Sequence, residues 1–383
     1  MSICTLINIT LKLANSNLGG MYNGWATSGP MIAPAIGPII GGILAQFLGW
    51  RSIFWFLVIL AAVYMIPLLI NYPETARKVV GNGSIPPRGW NMTLIECFQA
   101  RKRARSNNTT VGASHHMSSE ETQDTMAPKR KLRFPNPLNT LVLLKEKDVA
   151  LLLIFNGLIF VAFYDVTASI PFLFQEIYGF NDLQIGLTFI PFGSGCMVAP
   201  FLNGFLLDWN FRRVAKQAGY TIDKKRGGSL KDFPLEKARV QVAAPMVFIG
   251  TAAILCYGWV VEHETSLAAP LILQFFVGLC LTGSFNAQSV WLIDLYPMAP
   301  ATATAATNLV RCMMGAGGTA VIIIMLKSMG RGWCFTFVAL VLTAFSPIYW
   351  VLYKKGPKWR EERRVREELK NERYNNLNAS IQV

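Results

Sequence analysis

Few side chains in this sequence have a type and spacing suited to chemistry, and most of them lie in apolar surroundings. Asp165 is the plainest case. With Ala162 and Ser169 it follows i, i+3, i+7 spacing, so the three share one helix face. An unpaired carboxylate inside an apolar span is costly, which points to a site for a cationic substrate or a carried proton. The competing reading is a carboxylate wetted near the outer surface, since about 16 residues, roughly 24 Å of helix, separate it from the inner end. Thr282, Asn286 and Ser289 follow i, i+4, i+7, and Asn308, Cys312, Gly315 and Thr319 repeat the pattern. Each set either faces a cavity or hydrogen-bonds a neighbouring helix. Tyr164, Phe160, Phe163, Phe192 and Trp291 either line an aromatic pocket or face lipid. Arg311 lies about 12 Å from the inner end of its helix. Its expected partner is Asp294, which closes the preceding span, in a structural ion pair.

Other chemistries find little support. The seven cysteines are scattered singly with no CxxC, so neither a metal site nor a disulfide framework is expected. His115 and His116 fall in a polar stretch and His263 in a short acidic turn. No nucleophile–base pair appears in the apolar stretches, so no catalytic residue, cofactor or metal is expected and an enzyme is the weakest reading.

The elements that must position these residues follow from hydropathy. The 383 residues are 52% hydrophobic and 15% charged, with mean hydropathy +0.35. A soluble domain of that size would need more charge to cover its surface. Apolar stretches of spanning length occur at 28–48, 52–72, 149–172, 184–207, 240–261, 267–294, 303–326 and 333–353. The sequence therefore predicts an all-α membrane protein of about eight transmembrane helices.

Net charge is +14, but 31 of the 36 basic residues fall in three polar segments, 72–148, 208–239 and the tail from Lys354. Such loops read as topology signals and contacts to anionic lipid rather than as a nucleic-acid surface. The positive-inside rule then places all three segments and both termini in the cytoplasm. The domains expected are 1–72 with two helices, a central cytoplasmic loop over 73–148 that is partly disordered, a six-helix bundle over 149–353, and a basic cytoplasmic tail over 354–383.

Two motifs narrow the class. Gly24 precedes Gly37-Pro38-Ile39-Ile40-Gly41-Gly42. Small residues four apart let a neighbouring backbone approach, and Pro38 bends the helix. The spacing resembles the antiporter motif on the fifth helix of the major facilitator superfamily, with Ala33 in place of the motif's second glycine. Gly204-Phe205-Leu206-Leu207-Asp208-Trp209-Asn210-Phe211-Arg212-Arg213 resembles that superfamily's cytoplasmic loop signature. There Asp208 is expected to pair with Arg212, Arg213 or an adjacent helix N-terminus and so latch an inward gate. Leu48-Gly49-Trp50-Arg51-Ser52-Ile53-Phe54-Trp55, Pro73-Glu74-Thr75, Gly81-Asn82-Gly83-Ser84, Asp294-Leu295-Tyr296-Pro297 and Asn308-Leu309-Val310-Arg311 look like the fungal twelve-span drug:proton antiporters, quinidine-resistance type.

The resemblance runs from about Gly19 to Tyr353. It implies a major facilitator bundle exporting drugs, polyamines or other small organic molecules in exchange for protons, by alternating access, in the plasma membrane. It also makes the first span here the family's fifth helix. The expectation is an incomplete bundle lacking the first four helices, with a non-transporting scaffold or sensor, or an inactive truncated fragment, as the alternative.

Overall fold

The computed structural model describes residues 36–71, 143–219, 233–296 and 300–381. The chain forms two units, Met1–Leu48 with Pro137–Val383, and Gly49–Asn136. Gly24, Ala33 and nearly all of the 73–148 segment lie outside the described residues.

In the first unit, α1 covers Ile36–Leu48. The bundle follows as α3 (Lys147–Tyr178), α4 (Asp182–Gln217), α5 (Leu235–Glu262), α6 (Ala268–Leu295), α7 (Pro300–Met329), α8 (Arg331–Phe345) and α9 (Pro347–Ile381). In the second unit, the described helix is α2 (Arg51–Asn71), which is 21 residues long. Its large apolar side chains, among them Phe54, Trp55, Leu57, Ile59 and Tyr64, are exposed round the helix, as suits an apolar solvent.

Among the described residues, six helical segments are long and apolar enough to cross a membrane. Each coincides with one of the last six expected spans, but several run further. α4 continues to Gln217 and α5 starts at Leu235, because a hydrogen-bonded helix need not end where the apolar stretch ends. The span expected over 333–353 is interrupted at Ser346, where Pro347 supplies no backbone N–H and the turn closes through Ser346 N–H to Thr343 O at 3.1 Å. Beyond it α9 passes through Lys354 without a break, so the basic tail begins as a continuation of the last span.

Turns alternate helix direction. Gly179, at φ 65°, ends α3 in the left-handed conformation, and Asn181 and Gln184 form a reciprocal capping box on α4. The Glu262 carboxylate accepts from the backbone N–H groups of Arg331 (3.0 Å) and Gly332 (3.1 Å), holding the α8 N-terminus against the end of α5.

Helices in lipid gain nothing from excluding water against one another, so close backbone approach takes over. α4 and α6 meet where Gly195 faces the Phe275 carbonyl and Gly278 faces that of Phe192. The Asn203 side-chain amide donates to Gly283 O at 2.5 Å across the same seam. α3 and α7 run parallel, with Gly157 against Met314, Gly315 against Phe160 and Gly318 against Val161 and Asp165. Phe155, Phe174, Trp291, Tyr257 and Phe335 are among the largest of the fully buried apolar side chains.

Candidate functional site

A cationic and aromatic cluster lies where α3, α6 and α7 face one another. Arg311, eleven residues into α7, is roughly 16 Å along the helix from its start. Its guanidinium stands 4.9 Å from the Phe160 ring centre and 5.2 Å from that of Phe285. The two rings adjoin each other at 6.0 Å, so the guanidinium packs against both from one side. Phe160 also packs on Tyr164 at 4.5 Å, and Phe163 carries the cluster to Phe192 on α4 at 4.9 Å.

No carboxylate pairs with Arg311 among the described residues, and its Nε is buried without a hydrogen-bond partner. Asn286 Nδ2, beside Phe285, is in the same condition. So are both amide atoms of Asn156, one turn before Phe160 and 2% exposed. Unpaired buried donors and acceptors cost about 1–3 kcal/mol each, so α3, α6 and α7 each carry unmet hydrogen-bonding capacity.

Asp165 lies further along α3, 5% exposed, with Oδ1 buried and unpartnered. It faces Gly318. Because α3 and α7 run parallel, the seven residues from Arg311 to Gly318 separate the two charges by roughly 10 Å along the bundle. They form two distinct polar points inside the spans.

The other expected positions divide. Ser169 is fully buried and its hydroxyl donates to Val166 O at 2.7 Å, within its own helix. Ser289 and Thr319 likewise satisfy Phe285 O and Gly315 O, both at 2.9 Å. Thr282 ties α6 to α4 through Cys196 Sγ at 3.3 Å. Of these hydroxyls only that of Thr282 bonds a neighbouring helix; the other three bond within their own. Asn308 is half-buried on α7, Tyr164 stands exposed at the cluster's edge, and Trp291 is buried apart from it.

The expected pair between Asp294 and Arg311 is not formed. Asp294 takes Arg239 instead, with Nη2 at 2.8 Å and Nε at 3.0 Å. The reason is the early start of α5, which brings Arg239 into its second turn beside the end of α6. The expected latch of Asp208 is also absent among the described residues. Asp208, Arg212 and Arg213 are exposed within α4 rather than in a loop, and Arg213 lies over the Trp209 ring at 5.5 Å. An exposed i, i+4 ion pair is worth little, so nothing compels Asp208 to hold Arg212.

Of the glycine motif, Gly42 is buried and a Cβ there would meet the Asp182 carbonyl oxygen at 2.5 Å. Gly186 faces Pro38 O in the same way, at 2.8 Å. A Cβ on Gly37 or Gly41 would meet nothing within 4 Å.

A third cluster closes the end of the bundle where α3 and α5 begin. Arg363 of α9 donates to both Asp148 oxygens (3.1 and 2.8 Å) and to the Tyr296 hydroxyl (3.0 Å). Burial pushes the Tyr296 hydroxyl up to about 12, opposed by the Arg363 charge. Arg360 pairs with buried Glu236 at 3.6 Å and donates to Phe233 O at 2.8 Å.

Residues 5–319 match the family model described as Major Facilitator Superfamily. The MFS-type transporter phiD of Fungal sp. (strain ATCC 74256) is 38% identical over 351 residues, 92% of this chain and 51% of that protein. The MFS-type transporter phiL of the same strain is 37% identical, over 89% of this chain and 80% of its own length. Citrate exporter 1 of Aspergillus niger is 35% identical, over 94% of this chain and 66% of its own. The chain therefore spans about half the length of phiD and about two thirds of the exporter. It is a multi-pass integral membrane protein, and it belongs to the Major Facilitator Superfamily.

Proposed function

We propose that this protein moves small organic molecules across a membrane by alternating access, exchanging them for protons, as an exporter in the plasma membrane with both termini in the cytoplasm. The observation that carries the coupling is Asp165, a carboxylate buried in a span with no cation beside it among the described residues. A charged carboxylate there opposes reorientation through apolar surroundings, and taking up a proton removes that opposition. Residues 149–353 would serve as the six-helix C-terminal half, and α1 and α2 as part of the first half. The seam of Gly42 and Gly186 supports this assignment, since a transporter half must slide or rock against close-packed neighbours.

For the solute, the resemblance to drug:proton antiporters favours drug- or polyamine-like molecules and a place in multidrug resistance. A second reading, organic acids, is favoured by the likeness to a citrate exporter and by the unpaired Arg311. The Arg363 cluster and the basic segments support the inward orientation of that end, where anionic lipid would meet them.

The test is accumulation in proteoliposomes with an acidic lumen. Spermidine and 2-naphthoate serve as cationic and anionic probes. Accumulation of either one above its external level, abolished by a protonophore, is the expected outcome. Equal levels on both sides, with and without the protonophore, would remove the reading.

A further inference from the structure

We propose that Arg311, packed against the adjoining rings of Phe160 and Phe285, is an anion-binding centre that takes the carboxylate of a substrate with a flat apolar or aromatic body. The inference rests on the transport reading only for the word substrate; the binding site stands on its own geometry.

An arginine in the interior of a span is expensive, and such residues normally pair with a carboxylate or with backbone carbonyls. Other buried or half-buried arginines here do so: Arg239 with Asp294, Arg363 with Asp148, Arg360 with Glu236. Arg311 has only ring faces among the described residues. Rings offset part of the cost of desolvating a cation, but they accept no conventional hydrogen bond in the guanidinium plane. Packing against two adjoining rings leaves the guanidinium without a carboxylate partner among the described residues, and its planar fork can bind one in bidentate fashion.

The surrounding polarity fits the same ligand. Asn286 Nδ2 beside Phe285 and Asn156 Nδ2 one turn from Phe160 are buried donors without acceptors. A carboxylate brings acceptors only, so donors of this kind suit it, while Asn156 Oδ1 calls for a separate donor. A cationic solute would meet Arg311 as a like charge and leave those donors unmet. The body of the ligand is indicated by the rings that continue from the cluster, Phe163, Tyr164 and Phe192, which offer apolar faces beside the charged point. Asp165, roughly 10 Å further along the bundle, is far enough away not to compete for the guanidinium.

The experiment uses the purified full chain in detergent, with binding read from the thermal unfolding midpoint as ligand is titrated. The probes are 2-naphthoate, the neutral 2-naphthamide and the cationic 2-naphthylmethylamine, which share one ring system. The naphthoate is expected to raise the midpoint saturably, and the other two are not. Arg311→Gln should weaken naphthoate binding roughly 10- to 100-fold, the effect of losing a charge-assisted hydrogen-bond pair.

If that variant does not fold, Arg311→Lys and Phe285→Leu carry the test. Each should fold and weaken binding several-fold, since lysine keeps the charge but loses the planar fork and its stacking. A merely structural Arg311 would lower the unliganded midpoint while leaving the affinity of Arg311→Lys and Phe285→Leu unchanged. That result, or equal binding of all three probes, overturns the proposal. Selective naphthoate binding by a protein that accumulates no solute would uphold the site and sink the transport reading. Proton-driven accumulation of spermidine without carboxylate selectivity would do the reverse.

Discussion

Removing either partner of the Asp148–Arg363 pair should destabilise the bundle more than most single changes in this protein. The pair is nearly out of contact with solvent, at 4% and 8% side-chain exposure, and one guanidinium nitrogen serves both carboxylate oxygens and Tyr296. Breaking a buried pair by deleting one member typically costs about 3–5 kcal/mol, because a desolvated charge is left uncompensated. Asp148→Asn keeps shape and volume, so its cost is mainly that of the orphaned Arg363, about 3 kcal/mol. Arg363→Gln also loses packing over the Tyr296 ring, at 4.7 Å, and belongs nearer the upper figure. With both charges gone, neither orphan remains, and the double variant should be more stable than the sum of the two losses by about 2 kcal/mol or more. The assay is a double-mutant cycle on thermal unfolding in detergent, with folded yield by size exclusion as a second readout. Simple additivity would refute the reasoning. So would a double variant less stable than either single one.

Further outcomes follow from the helix seam and the orientation. Gly42→Val should lower folded yield sharply, since its side chain would meet the Asp182 backbone, which cannot step aside as a flexible side chain can; Gly37→Ala, facing open space, should be close to neutral, and equal yields would contradict the packing described. The sequons at Asn82, Asn91 and Asn108 should carry no glycan if the segment holding them is cytoplasmic. A glycosidase-sensitive shift that disappears with Asn108→Gln would reverse the orientation.

Hydropathy was enough to find the bundle, because apolar length is a one-dimensional property. It was less able to find helix ends. The polar turns of α4 after Leu207 and of α5 before Val240 look like loop in composition, yet hydrogen bonding carries both helices on. That displacement is why Arg239 was missed as the partner of Asp294. Arg363 was hidden differently: it stands in a run of charge, and only the rotation of α9 decides that it, and not Arg364 or Arg366, turns toward Asp148, 215 residues earlier.

At the candidate site, Tyr164, Asp165 and Arg311 stood out because charge or a polar ring in a span is conspicuous. Phe285 did not, since a phenylalanine on an apolar helix carries no sign of which neighbour it will face. Asn156 had no polar companion at helical spacing. The hydroxyls of Ser169, Ser289 and Thr319 were conspicuous by type, but a helix offers each an acceptor three or four residues back, which spacing alone does not reveal.

The claim at the centre is that Asp165 couples proton movement to solute movement. The direct measurement compares wild type with Asp165→Asn in the same proteoliposomes, in two modes, proton-driven accumulation and passive counterflow of labelled solute. Asparagine has nearly the same shape and cannot exchange a proton at this position. The account predicts that accumulation falls at least about tenfold while counterflow persists, as expected when the reorienting site survives and only its coupling group is lost. Undiminished proton-driven accumulation by Asp165→Asn would contradict it.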